Sequence, residues 1–143
     1  MYEYRCTVLK VVDGDTVDVD IDLGFGIVLT DERVRLMGID TPESRTSDKV
    51  EDLFGELAKA RLKEMVSGRS GPILKTQINK KGEDMKGKFG RILGDFVVDG
   101  KMATEILIKE GHAVKYFGGS KEEIQAKHMK NRDRLIKEGV VKP

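Results

Sequence analysis

Val17-Asp18-Val19-Asp20-Ile21-Asp22-Leu23 alternates apolar and acidic side chains without a break. Period two is the signature of a strand with one face buried and one in water. Upstream, Tyr4 to Val12 is rich in Val, Leu, Thr and Tyr and reads as a strand ending at the turn Asp13-Gly14. Downstream, Gly24-Phe25-Gly26 makes a turn, and Val28 to Met37 returns as a third strand in which Val34 and Leu36 alternate with Arg33 and Arg35. Arg35, at that strand's end, is expected to project from the sheet.

A helix follows. Asp48 is its N-cap with Glu51 three residues on, and Val50, Phe54, Leu57, Leu62 and Met65 recur at helical spacing until Gly68 stops it. Pro72 to Ile78 reads as a fourth strand and Ile92 to Val98 as a fifth, with a charged, glycine-punctuated loop from Lys80 to Lys88 between them. Met102 to Glu110 is a short helix stopped by Gly111, and Ser120 with Glu123 opens a last, heavily charged helix to about Glu138. Five strands with a helix after the third is the element order of an oligonucleotide/oligosaccharide-binding barrel. No repeat or linker divides the chain, so residues 1–143 are expected to form one domain.

Composition bounds the function. The 143 residues are 38% hydrophobic and 36% charged, polar for a globular chain yet not disordered in composition. No apolar run approaches the ~20 residues that span a bilayer. The start, Met1-Tyr2-Glu3-Tyr4-Arg5-Cys6, lacks the apolar stretch of a secretory signal, so a cytoplasmic protein is expected unless a leader was trimmed. Cys6 alone allows no internal disulfide, and with only His112 and His128 beside it no zinc or iron–sulfur cage can form. Any metal must be a hard cation held by oxygen.

The net charge of +1 hides an asymmetry. Residues 1–58 carry 6 Lys/Arg against 14 Asp/Glu, and residues 59–143 carry 20 against 11. An acidic part that could bind a cation, joined to a basic part that could bind phosphates, is one reading; chance fluctuation of charge is the other.

Two segments could carry chemistry. Asp13-Gly14-Asp15-Thr16 is a tight turn, and Arg35-Leu36-Met37-Gly38-Ile39-Asp40-Thr41-Pro42-Glu43 is a strand end that releases polar side chains. Pro42 pushes Thr41 into an extended conformation. Asp15, Asp40 and Glu43 then sit on loops at strand ends, where a barrel has an open rim. Two carboxylates plus a free carbonyl are what calcium or magnesium asks for. Asp-Gly and Asp-Thr-Pro are equally ordinary turn vocabulary, and the residues alone leave both readings standing. Lys88-Phe89-Gly90-Arg91 closes the basic loop, and its arginine offers a planar fork for phosphate.

Taken together, Asp13-Gly14-Asp15-Thr16, Arg35 with Asp40-Thr41-Pro42-Glu43, and Lys88-Phe89-Gly90-Arg91 resemble the staphylococcal nuclease (thermonuclease) family in order and spacing. Phe54-Gly55 with Ala58, Asp99-Gly100-Lys101-Met102, and Glu110-Gly111 with Ala113 extend the resemblance from about Tyr4 to about Lys137. The resemblance implies an α+β, mainly β fold: a five-stranded Greek-key OB-fold barrel with three α-helices. It implies calcium held by Asp15, Asp40 and the carbonyl of Thr41, with Glu43 positioning or deprotonating the attacking water. Arg35 and Arg91 would grip the scissile phosphate, with Lys88, Phe89 and Tyr116 binding substrate. The implied reaction is hydrolysis of DNA and/or RNA at the 5′ P–O bond, leaving 3′-phosphates; the sequence implies no protein partner, and a monomer is expected.

The chain departs from the family in places. Phe89 stands where the family commonly has tyrosine, so a phenolic hydrogen bond to a terminal phosphate is lost. One base stack is expected in Tyr116-Phe117-Gly118-Gly119, with the ring left open. The hairpin from Asp18 to Glu32 is longer than in the family's secreted bacterial enzyme and resembles versions carried by bacteriophages.

Other patterns fail. Asp18-Val19-Asp20-Ile21-Asp22 has Leu23 where a calcium loop needs glycine and Leu29 where it needs glutamate, so these aspartates read as a solvated strand face. His112 and His128 read as surface or packing residues, Cys6 as buried and inert, and Met65 and Met102 as helical core. A non-catalytic nucleic-acid-binding OB-fold module remains the alternative. Such modules typically lose the carboxylates or arginines, whereas Asp15, Arg35, Asp40, Glu43 and Arg91 are all present here.

Overall fold

A computed structural model describes residues 2–44, 46–67, 71–77, 90–116 and 120–140. The chain runs β1 (Glu3–Asp13), β2 (Thr16–Gly24), β3 (Ile27–Leu36), β4 (Ile39–Asp40), α1 (Lys49–Val66), β5 (Ile73–Thr76), β6 (Ile92–Val98), β7 (Lys101–Met102), α2 (Ala103–Lys109), β8 (Val114–Lys115) and α3 (Lys121–Lys137). The main sheet has the order β3-β2-β1-β5-β6-β7. A parallel pairing of β3 with β6, Val34 opposite Ile92 and Leu36 opposite Gly94, closes five of these strands into a barrel. This is the α+β OB-fold barrel with three helices that the element order and the resemblance imply.

The alternation in β2 sorts its side chains as expected. Val17, Val19 and Ile21 are buried, and with Val34, Leu36, Leu74 and Phe96 they fill the barrel. Truncating Leu74 or Phe96 to alanine removes about 2–5 kcal/mol, the usual cost of an unfilled core site. The aspartates between them face outward and are partnered. Asp18 accepts two hydrogen bonds from Arg33 at 2.8 and 3.1 Å, and Asp20 accepts from the backbone N–H of Asp31 at 2.9 Å. The latter bond braces a bulge at which Asp31 adopts φ 52°.

Both long helices start where their caps say. Asp48 accepts from the N–H groups of Val50 and Glu51, and Ser120 accepts from the N–H of Glu123. In α1 the buried face is Phe54, Gly55, Ala58, Leu62, Met65 and Val66, whereas Val50 is exposed in the first turn. Met65 is core as expected; Met102 is the half-buried N-cap of α2 instead. The anticipated stop at Gly68 and the end of the fourth strand at Ile78 lie outside the described residues. Cys6 is buried, and burial pushes its thiol up to about 12, so it is inert. Buried Asp95 ties β6 to α2, accepting from the N–H and hydroxyl of Thr104. No helix among the described residues is long and apolar enough to cross a membrane.

Candidate active site

Asp15 sits in the turn between β1 and β2. Its backbone carbonyl accepts the N–H of Leu36 at 2.8 Å, which ties the turn to the end of β3. The hydroxyl of Thr16 donates to Asp15 Oδ1 at 2.9 Å and orients the carboxylate.

Arg35 does not simply project from the sheet. Its guanidinium folds back over the β3–β4 turn, Nη1 donating to the Leu36 carbonyl at 2.6 Å and Nη2 to the Ile39 carbonyl at 2.9 Å. Nη2 also lies 3.3 Å from Asp15 Oδ2 and 3.9 Å from Asp40 Oδ1. Leu36 ends β3 and Ile39 opens β4, so the guanidinium bridges the two strands across the turn between them. Both carboxylates therefore face one positively charged point.

Asp40 is held by β4, whose residues Ile39 and Asp40 pair with Lys115 and Val114 of β8. Thr41 is buried, Glu43 is exposed, and the Ser44 hydroxyl donates to Asp13. Helix α1 presses this loop into place by having no side chains to spare. A Cβ on Gly55 would lie 2.3 Å from the Glu43 carbonyl oxygen. A Cβ on Gly14 would lie 2.6 Å from that of Ala58 and 3.2 Å from that of Thr41. The small residues Gly14, Gly55 and Ala58 are thus the contact between helix and site loops, a close approach that only a missing or minimal side chain permits.

Arg91 lies between Gly90 (φ 72°) and the start of β6, the strand that pairs with β3. A cavity of about 210 Å³ is lined by Asp15, Arg35, Asp40, Thr41, Glu43 and Arg91, with Asp13, Thr16 and Pro42 completing its wall. Six of the nine residues named from the sequence therefore meet in one place. Lys88 and Phe89 lie outside the described residues. Tyr116 does not line the cavity: it follows β8, 40% exposed, with its N–H on the Gly38 carbonyl at 2.9 Å. A larger cavity of about 770 Å³, which includes Arg61 and Lys101, holds none of the named residues.

Sequence reading missed His128. It is buried in α3 and its Nε2 lies 2.7 Å from Asp40 Oδ2, a contact across 88 positions that no local pattern encodes. His112 is buried and is a packing residue as expected.

The donor set bears on the class of metal this site could hold. Among the described residues no three His, Cys, Asp or Glu side chains form a cage. What converges is two carboxylates beside the buried Thr41, an oxygen-only set that leaves room for water. Such a set fits a hard cation of the calcium or magnesium kind and suits soft metals poorly.

The profile of the family described as Staphylococcal nuclease homologue matches residues 33–139. Arg35, Asp40, Thr41, Glu43 and Arg91 lie inside that span; Asp15 precedes it and joins the site through the fold. SPbeta prophage-derived endonuclease YokF of Bacillus subtilis (strain 168) is 40% identical over 107 residues, 75% of this chain and 32% of the relative. Endonuclease YncB of the same organism is 37% identical over 107 residues, covering 75% of this chain and 46% of the relative. Thermonuclease of Staphylococcus intermedius is 31% identical over 106 residues, 74% of this chain and 56% of the relative. The chain thus aligns with between 32% and 56% of the length of these relatives. The matched profile covers most of the chain, and the chain belongs to the staphylococcal nuclease family.

Proposed function

We propose that this chain is a calcium-dependent nuclease that hydrolyses phosphodiester bonds of DNA and/or RNA at the 5′ P–O bond, leaving 3′-phosphates. The observation that carries the reading is the meeting of Asp15 and Asp40 on one Arg35 nitrogen, in a cavity that Glu43 and Arg91 also line. Three relatives are named as nucleases, two endonucleases and a thermonuclease, which supports the nuclease part of the reading.

Asp15, Asp40 and the carbonyl of Thr41 would hold the cation. Bound calcium supplies positive charge against the phosphate and a site for water. Arg35 and Arg91 approach from β3 and from the start of β6 and donate their planar forks to the phosphate oxygens. Those donors matter most as phosphorus gains its fifth oxygen, because negative charge then grows on the oxygens they hold. Glu43 accepts a proton from the water as its oxygen bonds to phosphorus, a role that general bases fill with gains of about 10²–10⁴-fold. The bond from phosphorus to the 5′ oxygen breaks, and that oxygen leaves as a hydroxyl after taking a proton from solvent. The phosphate stays on the 3′ side.

The test is hydrolysis of single-stranded DNA in calcium and in excess chelator, with wild type, Asp15→Ala and Asp40→Ala. Activity is expected in wild type with calcium only. Full activity in chelator, or in either variant at saturating calcium, contradicts the assignment.

A further inference from the structure

Asp40 is gripped from three directions. Its backbone pairs with Val114 of β8, its Oδ1 lies 3.9 Å from Arg35 Nη2, and its Oδ2 lies 2.7 Å from His128 Nε2. The third grip comes from α3, a largely exposed helix of which His128 and Leu135 are the buried residues. Leu135 has an evident task, packing with Phe54 of α1. His128 has none in the apolar clusters, and its side chain is only 6% exposed.

The ring's other nitrogen fixes which way the hydrogen bond runs. Nδ1 is buried and has no partner among the described residues. Leaving a lone pair unpaired there is cheaper than burying an unpaired N–H, so the proton belongs on Nε2, where Asp40 accepts it.

We propose that His128 is a positioning residue for the cation site: its Nε2–H donates to Oδ2 of Asp40 and leaves Oδ1 as the oxygen that faces the cavity. This rests on the calcium reading above. A carboxylate without such a donor can rotate about its last torsion and present either oxygen or neither, and donors of this kind are worth about 10–100-fold in metal affinity. The C-terminal helix is thereby part of the site, although none of its residues lines the cavity.

Replacing His128 leaves the docking of α3 largely intact. Leu135 remains against Phe54, Arg132 sits 5.5 Å over the Phe54 ring, Asn131 Nδ2 donates to the Ala113 carbonyl at 3.3 Å, and Arg134 Nη2 donates to the Lys109 carbonyl at 2.8 Å. Calcium affinity is measured calorimetrically on the protein without nucleic acid, for wild type, His128→Phe, His128→Gln and Asp15→Ala. His128→Phe keeps a flat ring, one carbon larger, and removes the donor, so affinity should fall about 10–100-fold. His128→Gln places an amide N–H near the lost one and should recover affinity to within about threefold of wild type. If Asp15→Ala loses calcium while His128→Phe binds as wild type, the inference fails alone. Equal weakening by Phe and Gln means that the ring's packing matters rather than its donor, which also overturns it. Wild type that binds no calcium overturns the metal reading, and this inference with it. Should His128→Phe not fold, the ring nitrogens of wild-type His128 decide by nuclear magnetic resonance: a proton on Nε2 is expected, and one on Nδ1 alone is fatal.

Discussion

The Arg35 guanidinium meets the carbonyls of Leu36 in β3 and Ile39 in β4 and two carboxylates, at 2.6, 2.9, 3.3 and 3.9 Å. Only a planar fork with several donors can do this; an ammonium presents one point charge. In the proposed mechanism the same fork follows phosphate oxygens into a five-coordinate arrangement. Arg35→Lys and Arg91→Lys should each lower turnover about 10²–10³-fold, the usual cost of one donor to a developing oxyanion. The midpoint of thermal unfolding should stay within a few degrees. Near-normal turnover in both would remove the phosphate clamp from the account. Residue types at the site were legible: Asp15, Arg35, Asp40, Glu43 and Arg91 could be named from turn and strand-end positions plus a family pattern. The folding back of Arg35 was not, because it depends on how the short strand β4 brings the Ile39 carbonyl beside that of Leu36. Nor was His128, because its partner lies 88 positions away.

At the scale of elements, α1 meets the loop that carries Glu43 through a glycine. Gly55→Ala would put a methyl group 2.3 Å from the Glu43 carbonyl oxygen and 2.4 Å from its carbon. Alanine gains up to about 1 kcal/mol of helix propensity over glycine, but overpacking against a backbone costs about 1–3 kcal/mol. The variant should therefore unfold at lower denaturant, and turnover should fall more than substrate binding, because the loop must shift and Glu43 with it. Unchanged stability and turnover would show that the loop yields freely. Strands and helices with long periodic faces or capping residues were readable; β6 (Ile92–Val98) has the bounds read from sequence, and Asp48 and Ser120 are the caps. The pairing of β4 with β8 was not readable. Two residues show no period, and strands that short exist only because the barrel brings them together.

The whole molecule carries its charge unevenly, and one buried base registers pH for the fold. Burial lowers the pKa of His112 below its ordinary 6.5, with Glu110 opposing and Arg61 and Arg134 reinforcing the shift. The unfolded chain takes up a proton near pH 6.5 while the folded protein resists it. The group's contribution is therefore complete above pH 6.5 and is lost as pH falls through and below that value. Thermal unfolding followed between about pH 8 and pH 5 should show a steeper decline for wild type than for His112→Gln. Parallel declines would mean that His112 plays no part.

The central claim is that the cavity of Asp15, Arg35, Asp40, Glu43 and Arg91 cleaves between phosphorus and the 5′ oxygen. The identity of the product ends reports this directly, independently of rate. A defined single-stranded DNA digested in calcium, with the fragments weighed by mass spectrometry, should yield 3′-phosphates and 5′-hydroxyls. Fragments bearing 5′-phosphates and 3′-hydroxyls would contradict it.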